Sequence, residues 1–322
     1  MRAALLFAAA TLALPMTASA QEATPAAAEA AKPYLTLAEL RARYGDEASR
    51  YATIRGLEIH YKDEGKGPVL LMVHGSRSSL KQWDGVVAAL KSRYRIIRYD
   101  LPAAGLSGAV SDEAAATVQP TDIAEGLLAQ LGVTKVSFVG VSSGGTLGLF
   151  LAAKRPDLVE RLIVANTPSD TVRTDHLVYP PAFAKALADS QAAKFENLEF
   201  WNAYLSYFSG DGSRISAETR RAYYDMNRRV PEKNPVALVA KIGDGVEAHK
   251  RMAEVKAPVL LIWGAADPLL TPKAAATLEG YLTGTQVSTI LLPDVGHYPP
   301  TETPARVAAL VAAYIEAATP TK

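Results

Sequence analysis

KVSFVGVSSGGTLGLFLAAKRPDL, residues Lys135 to Leu158, reads as a buried strand, a glycine-bounded turn and a helix, with Ser142 at the apex. Val136, Phe138 and Val139 give a β-rich apolar run before the turn. Gly140-Val141-Ser142-Ser143-Gly144 then has the G-x-S-x-G spacing, in which a sharp strand-to-helix turn lifts a serine hydroxyl above a parallel sheet. Gly144 and Gly145 remove side chains where strand and helix must pass close together. Leu147, Leu149, Phe150 and Leu151 follow at helix-compatible spacing. A bare G-x-S-x-G is a weak signal, because glycine and serine are common in ordinary turns. The strand–turn–helix frame around it supplies the specificity.

Outward from this stretch the chain alternates between strand and helix patterns. Tyr51 to Gly65 (YATIRGLEIHYKDEG) alternates around Gly56 and predicts a β-hairpin, with His60 on a surface face. PVLLMVHG (Pro68 to Gly75) is a continuous apolar run, as in a parallel strand buried on both faces. Leu80 to Ser92 predicts a helix, and RYRIIRYD (Arg93 to Asp100) a further strand. Thr121 to Leu131 predicts a helix capped by Thr121. RLIVANTP (Arg161 to Pro168) is the next strand. From Ser169 to Glu254 the rhythm breaks, and charged and aromatic residues recur at helical spacing instead. Buried-strand character returns at APVLLIWG (Ala257 to Gly264), followed by a helix over Thr271 to Gly280, VSTILLPDVGH (Val287 to His297) and a last apolar helix over Pro304 to Ala317. The pattern predicts an α/β fold: a mostly parallel, doubly wound sheet of about eight strands. Its core spans residues 51–168 and 255–322, with 169–254 as a helical insertion. An insertion there would sit over the carboxyl ends of the strands, where open α/β sheets bind ligands.

The composition narrows the function classes. The 322 residues are 49% hydrophobic and 21% charged, with a formal net charge of +1. No basic block is present to neutralise phosphates, which disfavours nucleic acid as a partner. Met1-Arg2, the apolar run Ala3 to Leu14 and Ala18-Ser19-Ala20 read as a secretory signal peptide over residues 1–20. The run is shorter than the roughly 20 residues that span a bilayer, so no stable membrane anchor is expected. Residues 21–50 read as an Ala-, Glu- and Pro-rich flexible leader followed by a short helix packed on the domain edge. The chain has no cysteine, so disulfides and thiolate metal sites are excluded. Export without disulfides points to a bacterial periplasmic or secreted protein. No metal-ligand spacing, dinucleotide fingerprint or Walker loop appears, and no cofactor is called for. Nothing in the chain specifies an oligomeric state.

A serine hydroxyl is a poor nucleophile at neutral pH, and needs a base, a group to orient the base, and donors for the developing oxyanion. Of the five histidines, His297 stands after the last strand and is the best candidate base. His74 reads as a shaper of the loop after its strand, and His176 and His249 lie in or beside the insertion. For the orienting acid the order Ser…Asp…His favours Asp267, in WGAADPLL. Asp170 in ANTPSD is the second candidate, and Asp294 reads as a turn former. The backbone N–H groups of Ser76 and Ser143 are the candidate oxyanion donors. Arg77 could offer a cation to an anionic substrate or be a solvated arginine.

HGSRSSLKQW (74–83), YDLPAAGLSG (99–108), GVSSGG (140–145), WGAADP (263–268) and VGHYPPTETP (295–304) occur in an order that resembles the α/β-hydrolase fold superfamily. The resemblance covers roughly Tyr51 to Ala317. It implies Ser142 as nucleophile, Asp267 as acid, His297 as base, Ser76 and Ser143 as oxyanion donors, and the insertion as a helical cap over the site. Two departures stand out. Relatives often carry glycine and a bulky polar residue where this chain has Ala103-Ala104, in a loop expected near the active-site floor. The apex residue is serine rather than aspartate, so a likeness to haloalkane dehalogenases or epoxide hydrolases does not carry over their alkyl-enzyme chemistry.

The expectation is a secreted serine hydrolase of small carboxylic esters, lactones or thioesters. A C–C bond hydrolase or a cofactor-free perhydrolase could use the same residues. In a different class, a non-catalytic ligand-binding member of the fold is disfavoured, because every residue of the catalytic set is in place. The substrate is expected to be a small, partly apolar carbonyl compound. The insertion is rich in aromatic side chains, most of which are expected to form its own core, with one or two reaching the site; Trp201 and Tyr204 are candidates.

Overall fold

The computed structural model describes residues 33–241 and 250–317. The expected signal peptide (1–20), the expected leader up to residue 32 and His249 lie outside the described residues. The predicted hairpin forms from β1 (Arg50–Ile54) and β2 (Leu57–Glu64). Arg55 and Gly56 join them at φ +53° and +79°, the pair of left-handed residues that a tight two-residue turn requires. The other strands are β3 (Val69–Val73), β4 (Arg95–Tyr99), β5 (Val136–Val141), β6 (Val159–Ala165), β7 (Val259–Gly264) and β8 (Val287–Leu292). All eight form one sheet in the order β1-β2-β4-β3-β5-β6-β7-β8. β2 is antiparallel to β1 and β4, and every later pairing is parallel.

Every residue of β5 is buried, because both faces of the sheet are covered. Phe138 joins a cluster with Leu127 of α4 (Pro120–Gln130) and Leu147 of α5 (Ser143–Lys154). Val139 and Val141 point the other way, into a cluster with Val87 of α2 (Asp84–Leu90) and Val311 of α12 (Pro304–Glu316). Full burial of each such side chain is worth roughly 1.5–3 kcal/mol, which pins β5 in the centre of the sheet. A short helix, α3 (Asp112–Thr117), precedes α4, and α10 (Pro272–Tyr281) links β7 to β8. A four-residue turn of helix, α11 (Pro299–Glu302), precedes α12. None of the described helices is long and apolar enough to cross a membrane.

Between β6 and β7 lie α6 (Pro181–Ala193), α7 (Leu198–Phe208), α8 (Ala217–Asn227) and α9 (Ala237–Ala240). These inserted helices form a cap with a core of its own, in which Phe183, Phe200, Trp201, Phe208, Tyr223 and Tyr224 are buried. The short helix expected near the start is α1 (Leu37–Tyr44), opened by a capping box in which Thr36 and Glu39 exchange hydrogen bonds. It lies against the cap and not on the core edge alone. Leu35 and Leu40 pack with Leu106 and with Met226 of α8. Asp225 of α8, fully buried, accepts Arg43 and Tyr44 of α1 at 2.7 Å each, together with Arg221 and Arg228 of its own helix end.

Two expectations need correction. α4 begins at Pro120 and not after it: the Asp122 carboxylate accepts the Gln119 N–H at 3.1 Å, so Gln119 stands at the cap position and Thr121 is inside the helix. His60 is 1% exposed and does not lie on a surface face. Its strand is interior to the sheet, between β1 and β4, and its imidazole meets Asp100 at 2.7 Å.

Candidate active site

Ser142 is the hinge between β5 and α5, at φ +53° and ψ −131°. A non-glycine residue with positive φ costs on the order of 1–3 kcal/mol and persists only where its surroundings over-determine it. Here they do. The Ser142 N–H bonds the Ala165 carbonyl of β6 at 3.0 Å, while its own carbonyl accepts from Gly145 and Thr146 in the first turn of α5. Gly144 sits against the end of β3: a Cβ there would stand 2.4 Å from the carbonyl oxygens of Val73 and His74. Gly75 is equally constrained, because its Cβ would lie 2.9 Å from the Ser142 Cβ. The glycines around Ser142 therefore let two loops converge on it.

His297 follows β8 and is 6% exposed. Its Nδ1 lies 2.7 Å from Asp267 Oδ2. Asp267, at the end of β7, is 2% exposed, and its carboxylate is filled by donors: Asn166 Nδ2 at 2.8 Å on Oδ2 and the Leu269 N–H at 2.8 Å on Oδ1. A carboxylate on Nδ1 fixes the tautomer that leaves Nε2 free to accept a proton. Neither of the other candidate carboxylates bonds His297. Asp170 accepts the Tyr281 hydroxyl at 3.0 and 3.1 Å, and Asp294 is exposed and pairs with Arg214 and Arg306.

Ser142, Ser143, Ser76 and His297 line one cavity of about 340 Å³, with Arg77, Thr146, Asp170, Tyr204, Leu269 and Tyr298 among its other walls. That volume suits a small ligand. Ser143 is the first residue of α5, so its N–H has no acceptor within the helix and carries part of the helix's positive end. The hydroxyls of Ser76 and Ser143 touch at 2.9 Å, which places the two loops edge to edge beside Ser142. Of the cap aromatics, Tyr204 reaches the cavity, whereas Trp201 is fully buried in the cap core. Arg77 is not a merely solvated arginine. It pairs with Glu196, and its guanidinium lies 4.8 Å from the Trp201 ring and 5.2 Å from the Tyr204 ring. Ala103 packs in the hydrophobic core instead of on the cavity floor.

Three contributors were not visible in the sequence pattern. Asn166, at φ +37°, holds Asp267 and spans both the N–H and the carbonyl of Gly264. Glu302, 4% exposed, accepts N–H groups on either side of His297, from Gly296 at 3.0 Å and Tyr298 at 3.3 Å, and the Gly210 N–H of the cap at 2.9 Å. Burial pushes its carboxyl above the usual range, and these N–H groups offset that only in part. Tyr298, buried beside His297, also has its hydroxyl pushed well up by burial, so it stays neutral. His74 is a loop shaper: its Nδ1 bonds the Gly75 carbonyl and its Nε2 accepts the Leu101 N–H.

Comparison with known proteins gives a consistent picture. The family profile described as alpha/beta hydrolase fold matches residues 68–304. A pimeloyl-(acyl-carrier protein) methyl ester esterase of Nitrosomonas europaea is 30% identical over 253 residues, covering 75% of this chain and 93% of that protein. Haloalkane dehalogenase 2 of Mycobacterium tuberculosis is 25% identical over 288 residues, covering 83% of this chain and 94% of that protein. Among solved structures, the enol-lactonase of Burkholderia xenovorans superposes with a TM-score of 0.62 at 21% identity, covering 83% of this chain and all of that one (100%).

Proposed function

The chain belongs to the α/β-hydrolase fold family, and from that premise we propose that it is a serine hydrolase that cleaves a small carboxylic ester or lactone through an acyl-enzyme on Ser142. The observation that carries the proposal is the Asp267–His297 pair at 2.7 Å, set on the same cavity as a serine held at a strained apex. In this reading His297 Nε2 takes the Ser142 proton as Oγ attacks the carbonyl carbon. The tetrahedral oxyanion rests on the N–H groups of Ser76 and Ser143. The imidazolium, stabilised by Asp267, then returns its proton to the leaving alkoxide, and water releases the acid by the same route.

The similarity to a methyl ester esterase supports ester chemistry. The dehalogenase in the same set supports hydrolysis as a class but not its own bond, because serine at the apex favours acyl transfer. Among the described residues that line the cavity, Arg77 carries the permanent positive charge, and its pairing with Glu196 supports a neutral acyl group. The reading is tested with a panel of short acyl esters, lactones and amides on purified protein. Turnover of esters or lactones, lost in Ser142→Ala, is expected. Turnover confined to carbon–carbon bonds of diketone-like compounds would replace it. Residues 1–20 support export, and an amino terminus at Gln21 in material recovered from outside the cytoplasm would verify it.

A further inference from the structure

The loop that carries Ser76 is held from the cap side at consecutive positions. Asn227, the last residue of α8, donates through Nδ2 to the Arg77 carbonyl at 2.9 Å, and to the Tyr223 carbonyl at 2.8 Å. The hydroxyl of Tyr223, also on α8, accepts Ser78 Oγ at 3.0 Å and Gln82 Nε2 at 3.1 Å. Gln82 in turn accepts the Gly75 N–H through Oε1 at 3.0 Å. Ser78, Gln82 and Tyr223 are all buried, so these bonds form where water does not compete. Arg77 stands at φ +61°, a conformation that a residue with a side chain keeps only when its neighbours hold it. The holders are Asn227 on its carbonyl and Glu196 with the α7 aromatics on its guanidinium. Arg77 and Ser78 are thus held directly from the cap, whereas Gly75 is held by His74 and by Gln82, itself bonded to Tyr223, and Ser76 by the Ser143 hydroxyl.

We propose that Tyr223 and Asn227 are positioning residues that aim the Ser76 N–H, so that the cap helix α8 completes the oxyanion hole. Neither residue lines the cavity that holds Ser142. Their influence runs through Gln82 and the backbone of the loop. A second cavity of about 280 Å³ borders Ser78, Gln82, Tyr223 and Asn227, so the loop has room to shift once those bonds are lost. The cap is then part of the catalytic framework and more than a roof over the substrate. Burial pushes the Tyr223 hydroxyl up to about 12, so it is a fixed neutral partner through the working pH range. The inference rests on the ester-hydrolase reading above.

The test uses full-length wild type, Tyr223→Phe, Asn227→Leu and Ser78→Ala, assayed on the best ester of the panel. A trifluoromethyl ketone of matched acyl group is the second probe, because its serine adduct places an oxyanion in the hole. Deleting one oxyanion donor outright costs about 10²–10³ in kcat. Misaiming one is expected to cost about ten- to hundredfold, with KM within about twofold and the ketone affinity falling in parallel with kcat. The pH profile should keep its shape. Ser78→Ala removes the Tyr223 bond from the loop side, and serves if Tyr223→Phe does not fold. Unchanged kcat and ketone affinity in these variants would overturn the inference. So would a rise in KM alone, which would make α8 a substrate wall. An inactive wild type would overturn the ester reading itself, and is distinguished by the wild-type control.

Discussion

Two Ser–His–Asp groupings stand among the described residues, and their surroundings differ. Around Ser142, Asp267 and His297 meet at 2.7 Å beside a cavity. Between β1 and β4, Asp100 and His60 meet at the same 2.7 Å, and His60 Nε2 lies 3.0 Å from Ser49 Oγ. Residue types and the Asp–His distance alone do not separate them. The serines do. Ser142 stands at φ +53° ahead of a helix whose first N–H has no intrahelical acceptor. The Ser49 N–H is already spent on Asp46, at 3.0 Å to its carbonyl and 3.1 Å to its carboxylate, and its Oγ accepts the Asp46 N–H. One serine has unspent donors around it, and the other is a fully bonded strut.

The largest effect should separate the two serines. Ser142→Ala is expected to lower kcat on the order of 10⁶-fold, as removal of a nucleophile does in serine hydrolases. Ser49→Ala should leave the rate within about twofold and cost about 1 kcal/mol of stability for a lost hydrogen bond. Steady-state kinetics and urea unfolding on both variants check this. Equal losses of rate would break the comparison.

The acids should separate next. Asp267→Asn is expected to cost about 10⁴-fold in kcat with little change in folding, because the wrong tautomer of His297 is then stabilised. Asp100→Asn should act in the opposite way. Asp100 is 1% exposed and accepts the N–H groups of Leu80 at 2.7 Å and Leu106 at 2.8 Å as well as His60. Disrupting so buried a network should cost about 3 kcal/mol in denaturant unfolding, with Ser142 in the folded fraction still labelled by a fluorophosphonate.

Why the first constellation was legible in the sequence and the second was not has a physical reason. A strand, a tight turn and a helix are written in local spacing, so the G-x-S-x-G frame and the segments ending in Asp267 and His297 could be read directly. The succession of strands and helices along the chain follows from the same alternation, but the spatial order, with β4 between β2 and β3, does not. The place of His60 could not be read that way. Alternation along β2 marks which residues share a face, but not that β4 pairs beside it or that Asp100, at the end of β4, bonds the His60 ring. Asn166, Glu302 and Tyr223 were hidden for a related reason. Each acts through a partner at least several residues away, and often on a different element, so its role exists only once the chain has folded: Asn166 needs β7 beside β6, and Tyr223 needs the docked cap. The identity of the cap as helices was readable, but its grip on the catalytic loops was not.

A smaller effect concerns pH. Burial alone would raise the pKa of Asp100, but the hydrogen bond to His60, the electrostatic influence of the His60 and His74 rings and the Leu106 N–H outweigh it, and the net shift is downward. A carboxyl whose folded pKa lies below its unfolded value, about 3.9, contributes stability that is fully present above that value. The contribution is lost as pH falls through the folded pKa. The stability gap between wild type and Asp100→Asn should therefore be full at neutral pH and close below about pH 4. A gap that widens in acid would contradict the assignment of Asp100 as an ionised structural partner.

The smallest expected effect is none, and it is the sharpest test of the comparison. In Ser142→Ala the second constellation remains intact, with Asp100, His60 and Ser49 at their bonding distances. Prolonged exposure of this variant to a fluorophosphonate, followed by peptide mass analysis, should yield no adduct on Ser49. His60 Nε2, 3.0 Å from Ser49 Oγ, is within reach of the serine proton. A phosphonyl oxygen at Ser49 would still find the local N–H groups committed to Asp46, including that of Ala48 at 3.0 Å. Without donors for the developing charge, a base alone does not activate a serine. An adduct on Ser49 would show that donors can be recruited from a fully bonded turn, and would shift the decisive feature at Ser142 from its oxyanion donors to its exposure in the cavity.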